Sequence, residues 1–103
     1  MRIAAEQIEI PREKITGYLL VPKEKNDKSV FLANLGYTID NWSDLAYDIE
    51  QLVLTNEAEL QQNTSFGDIY EVKGRLRLRA VVTIWLIEVR STHFRFVTLF
   101  PQK

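Results

Sequence analysis

Hydrophobic side chains recur at helical spacing in the first half of the chain. The clearest stripe follows the i, i+4, i+7, i+8 pattern of one helix face and is formed by Leu45, Ile49, Leu52 and Val53. Two shorter helical segments are predicted over residues 12–20, after Pro11, and over residues 28–35. Asp27 is the predicted N-cap of the second segment, because its carboxylate can accept a first-turn amide, and Gly36 is expected to end that segment.

From about residue 58 the hydrophobic period becomes that of β-strands. Strands are predicted over residues 60–66, 69–73, 75–90 and 94–100, with turns at Gly67–Asp68, at Gly74 and at residues 91–93. Helices followed by a run of strands are typical of an α+β protein. The expected fold is a single domain over residues 1–103, with N-terminal helices packed on a four-stranded antiparallel β-meander.

Composition removes several function classes. The chain has no Cys and a single His, His93, which excludes a disulfide framework, a thiolate zinc site and a multi-His metal site. Asp40, Asp44 and Asp48 share a helix face, but such faces are usually solvated, so no metal and no cofactor are expected. The N-terminus lacks a signal peptide, and no apolar run is long enough to span a membrane, so a cytoplasmic location is predicted.

The basic residues concentrate late in the chain. Residues 1–70 hold six basic and twelve acidic residues, whereas residues 71–103 hold seven basic and two acidic residues. Arg75, Arg77 and Arg79 alternate, so they are expected on one side of a strand, near Arg95 of the next strand. Such a face suits phosphate, although charge on an exposed edge strand also serves solubility. Simple alternation places Thr98 on the face opposite Arg95 unless a bulge intervenes.

Four segments carry a resemblance to a known family. They are PREKITGYLLVP (Pro11–Pro22), DKSVFLANLGY (Asp27–Tyr37), VVTIWLIE (Val81–Glu88) and RFVTLFP (Arg95–Pro101). In this order they resemble the bacterial domain of unknown function 6883 family. That family is similar to the Barnase–EndoU–ColicinE5/D–RelE class, a helix-plus-four-stranded-sheet fold used by small ribonuclease toxins.

The resemblance implies a set of site residues. The expected catalytic residues are Lys14, Lys28, Arg95 and Thr98, and the expected substrate-binding residues are Arg77, Arg79 and Tyr18. Which of Arg77 and Arg79 corresponds to the family's arginine stays open, because the family's glycine-containing turn is missing here. Ribonucleases of this class need no metal, and their protein groups position a phosphodiester and stabilise its developing charge.

Two functions therefore stand side by side. The first is a metal-independent ribonuclease toxin, or an RNA-binding component of a bacterial toxin–antitoxin system. The second is a non-enzymatic interaction module, such as an antitoxin, immunity protein or adaptor, which uses the acidic segment 40–59. Both predict a cognate protein partner encoded nearby and no membrane, and the Phe-rich last strand allows a homodimer. His93 lies at a predicted turn, where an exposed His is usually inert.

Overall fold

Five strands form one mixed sheet, and a long helix packs across one of its faces. The computed structural model describes residues 1–24 and 27–102; Lys25 and Asn26 of the segment before Asp27, and Lys103 of the basic C-terminal part, lie outside the described residues. The strands are β1 (Ile8–Glu9), β2 (Ala58–Asn63), β3 (Gly67–Leu76), β4 (Arg79–Glu88) and β5 (Phe94–Pro101). The helices are α1 (Arg12–Lys14), which continues into a π-helical turn (Ile15–Leu19), α2 (Ser29–Asn34) and α3 (Trp42–Thr55).

The strand order is β1-β5-β4-β3-β2. Strands β2 to β5 pair antiparallel with their neighbours in the chain, whereas β1 pairs parallel with β5. The α+β class is confirmed, but the four-stranded antiparallel meander preceded only by helices is wrong. β1 is a fifth strand at the edge, and the helices lie between β1 and β2. Two residues are too few for strand alternation to be visible in a sequence.

The predicted core stripe of α3 is confirmed, since its four apolar residues are buried against the sheet. Opposite them lies Trp85, which is fully buried and packs edge-to-face on Phe96 with 5.4 Å between ring centres. Its indole N–H donates to Thr83 Oγ1 at 2.8 Å, and the Thr83 hydroxyl donates to the Val72 carbonyl oxygen at 2.8 Å. Each polar side-chain atom in this buried series of hydrogen bonds thus has a partner, so the free-energy cost of an unsatisfied buried polar group is avoided.

Gly74 lies inside β3, so the turn predicted there is wrong. β3 continues to Leu76, and the chain reverses at Arg77, whose φ is 56°. A Cβ atom at position 74 would lie 2.6 Å from Leu52 Cγ and 2.8 Å from Asn56 Nδ2. The glycine therefore serves the close approach of α3 to the sheet, a requirement that a sequence does not distinguish from a turn.

A β-bulge in β5 changes the faces of its side chains. The cross-strand pairs are Ile84 with Thr98, Trp85 with Phe96, and Leu86 with Arg95. Consecutive residues of β4 thus oppose residues two apart in β5, and Val97 is the extra residue. Because their partners on β4 are two residues apart, Arg95 and Thr98 lie on the same face of the sheet. Regular alternation would have placed Thr98 on the face opposite Arg95, and the bulge reverses this.

Replacing Gly74 with Ala is expected to destabilise the fold by about 1–3 kcal/mol, because the added methyl group overlaps α3. Gly17 offers the matched control. It is exposed in the π-helical turn, and a Cβ there meets no atom within 4 Å. Gly17→Ala is expected to leave stability unchanged or raise it by about 0.5–1 kcal/mol. Chemical denaturation of both variants measures the difference, and equal free energies of unfolding would contradict this role of Gly74.

Candidate functional site

Three lysine side chains surround the aromatic ring of Tyr18. Their Nζ atoms lie 5.7 Å (Lys14), 5.5 Å (Lys23) and 5.9 Å (Lys28) from the ring centre. The Tyr18 hydroxyl lies 3.3 Å from Thr98 Oγ1, and either oxygen can donate the hydrogen bond. We refer to these five residues as the Tyr18 cluster. It brings together four of the predicted site residues and adds Lys23.

The π-helical turn places Tyr18. The Leu20 N–H donates to the Ile15 carbonyl oxygen at 3.0 Å, which is the i to i−5 bond of a π turn. Ile15 is fully buried and anchors the turn to the core, while Tyr18 is half-buried at its rim. Lys14 precedes Tyr18 by four residues, so the two side chains lie on one side of the segment.

Asp27 fixes the chain just before Lys28. Its carboxylate accepts from the Ser29 backbone N–H at 2.8 Å and from the Ser29 hydroxyl at 2.6 Å. The predicted hydrogen bond to a first-turn amide is thereby confirmed, but the prediction of Asp27 as the N-cap is wrong, because α2 begins one residue later than expected. Lys28 stands between these two residues, at the N-cap of α2.

Lys23 was not predicted as part of this site. It directly follows Pro22 in a segment whose charges are typical of a solvated loop, and nothing in its spacing relates it to Tyr18. Only the return of the chain past Tyr18 brings its ammonium group to the ring.

The cluster favours negative charge at the Tyr18 oxygen. The hydrogen bond from Thr98 lowers the pKa of the Tyr18 hydroxyl below its ordinary value of 10.0, and the charges of Lys28 and Lys14 lower the pKa further. Partial burial opposes this shift but does not reverse it. The site is therefore one where an anion, either a phenolate or a bound group, is stabilised.

None of the three lysines has an acidic partner within 4 Å among residues 1–24 and 27–102. The ion pairs there join the N-terminal ammonium group and Arg2 to Glu57, Lys73 to Glu71, and Arg95 to Glu9. Asp27 lies near Lys23, which contributes to its lowered pKa, but the hydrogen bonds of Ser29 are the larger cause. Three gathered ammonium groups repel one another, so a bound anion would relieve that repulsion.

Arg95 lies beside the cluster and does not belong to it. Its Nε is 3.7 Å from a Glu9 carboxylate oxygen on β1, and both side chains are about half exposed. Because their partners on β4 are two residues apart, the backbones of Arg95 and Thr98 are roughly 7 Å apart along the sheet. An exposed ion pair is weak, so Arg95 is free to exchange Glu9 for an anion bound at Thr98.

The structure places Arg77 and Arg79 against helical segments instead. Arg77 Nη1 donates to the Leu35 carbonyl oxygen at 2.6 Å, and its guanidinium lies 4.3 Å above the ring of Tyr37. Arg79 lies 5.8 Å from the ring of Phe31 in α2. The expectation that Arg75, Arg77 and Arg79 project from one side of one strand is wrong, because Arg77 forms the turn and Arg79 begins β4.

A family model described as Domain of unknown function (DUF6883) matches residues 3–103, nearly the whole chain. The chain belongs to the DUF6883 family. Searches of curated proteins and of solved structures found no match for this DUF6883 chain.

Two further observations bear on the DUF6883 fold. Within residues 1–24 and 27–102, no three His, Cys, Asp or Glu side chains group so as to hold a metal ion. In the same part of the chain, no helix is long and apolar enough to cross a membrane.

Spectroscopic titration tests the electrostatics of the cluster. Tyr18 is expected to ionise below its ordinary pKa, whereas burial and the Asp48 hydrogen bond raise the pKa of Tyr37. Thr98→Val removes the largest cause of the lowered pKa and is expected to shift the first phenolate absorbance step to higher pH. Since the folded-state pKa is lowered, the associated stability is present above the ordinary pKa and lost as pH falls through the folded value.

Tyr18→Phe supplies the assignment in this titration, because it should remove the first step and leave the others in place. A first step that survives in Tyr18→Phe, or that Thr98→Val does not move, would contradict the described environment of Tyr18.

Proposed function

We propose that this protein binds the phosphodiester backbone of RNA at the Tyr18 cluster and cleaves it without a metal ion, as a toxin or RNA-binding component of a toxin–antitoxin pair. The observation that supports this function is the grouping of Lys14, Lys23 and Lys28 around Tyr18 with no acidic partner within 4 Å among the described residues. Ammonium groups suit phosphate as point charges, and hydroxyl groups donate hydrogen bonds to its oxygens.

The reaction suited to the residues of the Tyr18 cluster is attack by a ribose 2′-OH on the adjacent phosphorus. The 2′-oxygen forms a bond to phosphorus, the bond from phosphorus to the 5′-oxygen breaks, and a cyclic phosphate and a 5′-hydroxyl result. Tyr18 can accept the 2′ proton once its own proton has left, and its lowered pKa favours that loss relative to an ordinary tyrosine. A lysine of the cluster can donate a proton to the departing 5′-oxygen, and the others stabilise the extra charge on phosphorus.

Arg95 and Thr98 supply the remaining groups in this proposal. Thr98 donates to a phosphate oxygen or to the Tyr18 oxygen, because its hydroxyl lies 3.3 Å from Tyr18. Arg95 shares its face of the sheet and can bind a second oxygen after leaving Glu9. Arg79 lies 5.8 Å from the ring of Phe31, which follows Lys28 by three residues at the start of α2.

A non-enzymatic interaction module is the second candidate, and the surface of α3 favours it. Asp40, Asp44 and Tyr47 are exposed on or beside this helix, and residues 40–59 contain six acids and no Lys or Arg. Such a face attracts a basic partner, and a cognate protein encoded nearby fits either candidate. If the protein is an interaction module, it should bind that cognate protein tightly and should not cleave RNA.

Cleavage of a fluorescently labelled RNA oligonucleotide in the presence of EDTA tests the proposal. Lys28→Met is expected to lower kcat/KM by about 10²-fold or more, because it removes both charge and a proton-transfer group from the cluster. Tyr18→Phe should have an effect of similar size on kcat. Replacing the ribose 2′-OH by hydrogen at the cleaved position should abolish cleavage altogether.

The matched control is Arg90→Asn, which removes one positive charge from the loop between β4 and β5. The left-handed φ of 68° at this position suits Asn, so folding is preserved. This variant should retain nearly full activity. Absence of cleavage by the wild-type protein, or equal losses in Lys28→Met and Arg90→Asn, would contradict a ribonuclease site at the Tyr18 cluster.

A further inference from the structure

The outer edge of β3 is left uncovered over its last two residues, Arg75 and Leu76. β2 pairs with β3 as far as the partners Ala58 and Val72, and in an antiparallel pair of this register the backbone of Glu57 lies opposite Lys73. Before Glu57 the chain belongs to α3, which ends at Thr55. Arg75 and Leu76 therefore have β4 on one side and no strand on the other among the described residues.

Hairpin geometry identifies the free backbone groups on this edge. Leu76 and Arg79 flank a two-residue turn, and residues in that position exchange backbone hydrogen bonds with each other. The bonding direction alternates along an antiparallel strand, so Gly74 and Leu76 bond to β4. The N–H and C=O groups of Lys73 and Arg75 then point away from β4. Those of Lys73 face Glu57, whereas no backbone hydrogen bond to those of Arg75 is present within the described part of the chain.

A groove of about 960 Å³ runs along this edge. The last turns of α3 contribute one wall, with the hydrogen-bonding side chains of Gln51, Thr55 and Asn56. The β3–β4 hairpin contributes the positively charged side chains of the groove, Lys73, Arg75 and Arg77. Asp48 is the one acid in this lining, and its carboxylate already accepts a hydrogen bond from the Tyr37 hydroxyl at 2.5 Å.

The edge lacks most of the features that keep sheet edges from pairing. Residues 73–76 contain no proline and no residue with positive φ, and the register of β3 with β4 is unbroken there. The charges of Lys73 and Arg75, the shortness of the free edge and the nearby end of α3 guard it, and the charges become attractive towards a partner of opposite charge.

We infer that this edge binds an extended, acidic segment of a partner protein by strand addition. The segment would exchange backbone hydrogen bonds with Arg75. The side chain directly opposite Arg75 lies on the same face of the sheet as Arg75, so the partner should carry an acid at that position. Lys73, which pairs with Glu71 at 3.5 Å, and Arg77 add positive charge to the groove on either side of Arg75.

Charge and hydrogen bonding together select this partner. Pairing of this edge with the same edge of a second copy would set Lys73 and Arg75 against like charges, which destabilises a cross-strand pair. An RNA backbone could use the charges and offers phosphate acceptors and 2′-OH donors, but it does not hold them side by side at the spacing of strand N–H and C=O groups. A peptide backbone supplies both at strand spacing. The inference is independent of the ribonuclease proposal, because it uses no residue of the Tyr18 cluster.

Fluorescence anisotropy with a labelled peptide of alternating Glu and Thr tests the inference. Arg75→Gln removes the charge and keeps the backbone N–H, whereas Arg75→Pro removes both. Proline is tolerated at an edge position whose N–H faces outward. Arg75→Gln should weaken binding about two- to fivefold, and Arg75→Pro should weaken it at least fivefold beyond that. The same peptide with Lys in place of Glu should not bind.

Amide hydrogen exchange on the wild-type protein gives a second readout that needs no variant. The amide of Arg75 should slow its exchange when the Glu–Thr peptide binds, while those of Gly74 and Leu76 are already protected by β4. Equal affinities of Arg75→Gln and Arg75→Pro, or unchanged exchange at the Arg75 amide, would overturn strand addition. Tighter binding of a labelled single-stranded RNA that loses equal affinity in both variants would assign the groove to nucleic acid instead.

Discussion

The extra residue at Val97 decides which side chains the last strand brings to the surface. With regular alternation, Thr98 would point to the side of the sheet away from Arg95. The bulge instead places both on one face, opposite Leu86 and Ile84, while Phe96 and Leu99 remain in the core. The Tyr18 hydroxyl reaches Thr98 from the π-helical turn, so the cluster depends on two local departures from regular structure. Both kinds of departure are frequent at functional sites.

Features with a local cause were predictable from the sequence. The apolar stripe of α3 needs only helical spacing, and the contact of Asp27 with Ser29 needs only the chemistry of a helix start. Features with a tertiary cause were not. The two residues of β1 pair only because β5 is present, and Gly74 is required by Leu52 and Asn56, which approach from another element. The approach of Lys23 to Tyr18 belongs to this second group.

The same distinction applies to the arginines. Arg75, Arg77 and Arg79 look equivalent in the sequence, yet the turn separates their environments. Arg77 stacks on Tyr37, Arg79 approaches Phe31, and Arg75 donates to the Leu78 carbonyl oxygen at 3.1 Å. The basic second half of the chain thus supplies the positive side chains of the groove beside β3, whereas the three lysines of the Tyr18 cluster come from the first half of the chain. The acidic α3 forms one wall of that groove.

The structure of the complex with a short RNA that lacks the attacking 2′-hydroxyl tests most directly whether the Tyr18 cluster is a ribonuclease site. If it is, one phosphate should lie within hydrogen-bonding distance of the Lys28 ammonium group and of the Tyr18 or Thr98 hydroxyl, with Arg95 turned from Glu9 towards it. A phosphate bound elsewhere, with the three lysines still facing solvent, would contradict a ribonuclease site at this cluster.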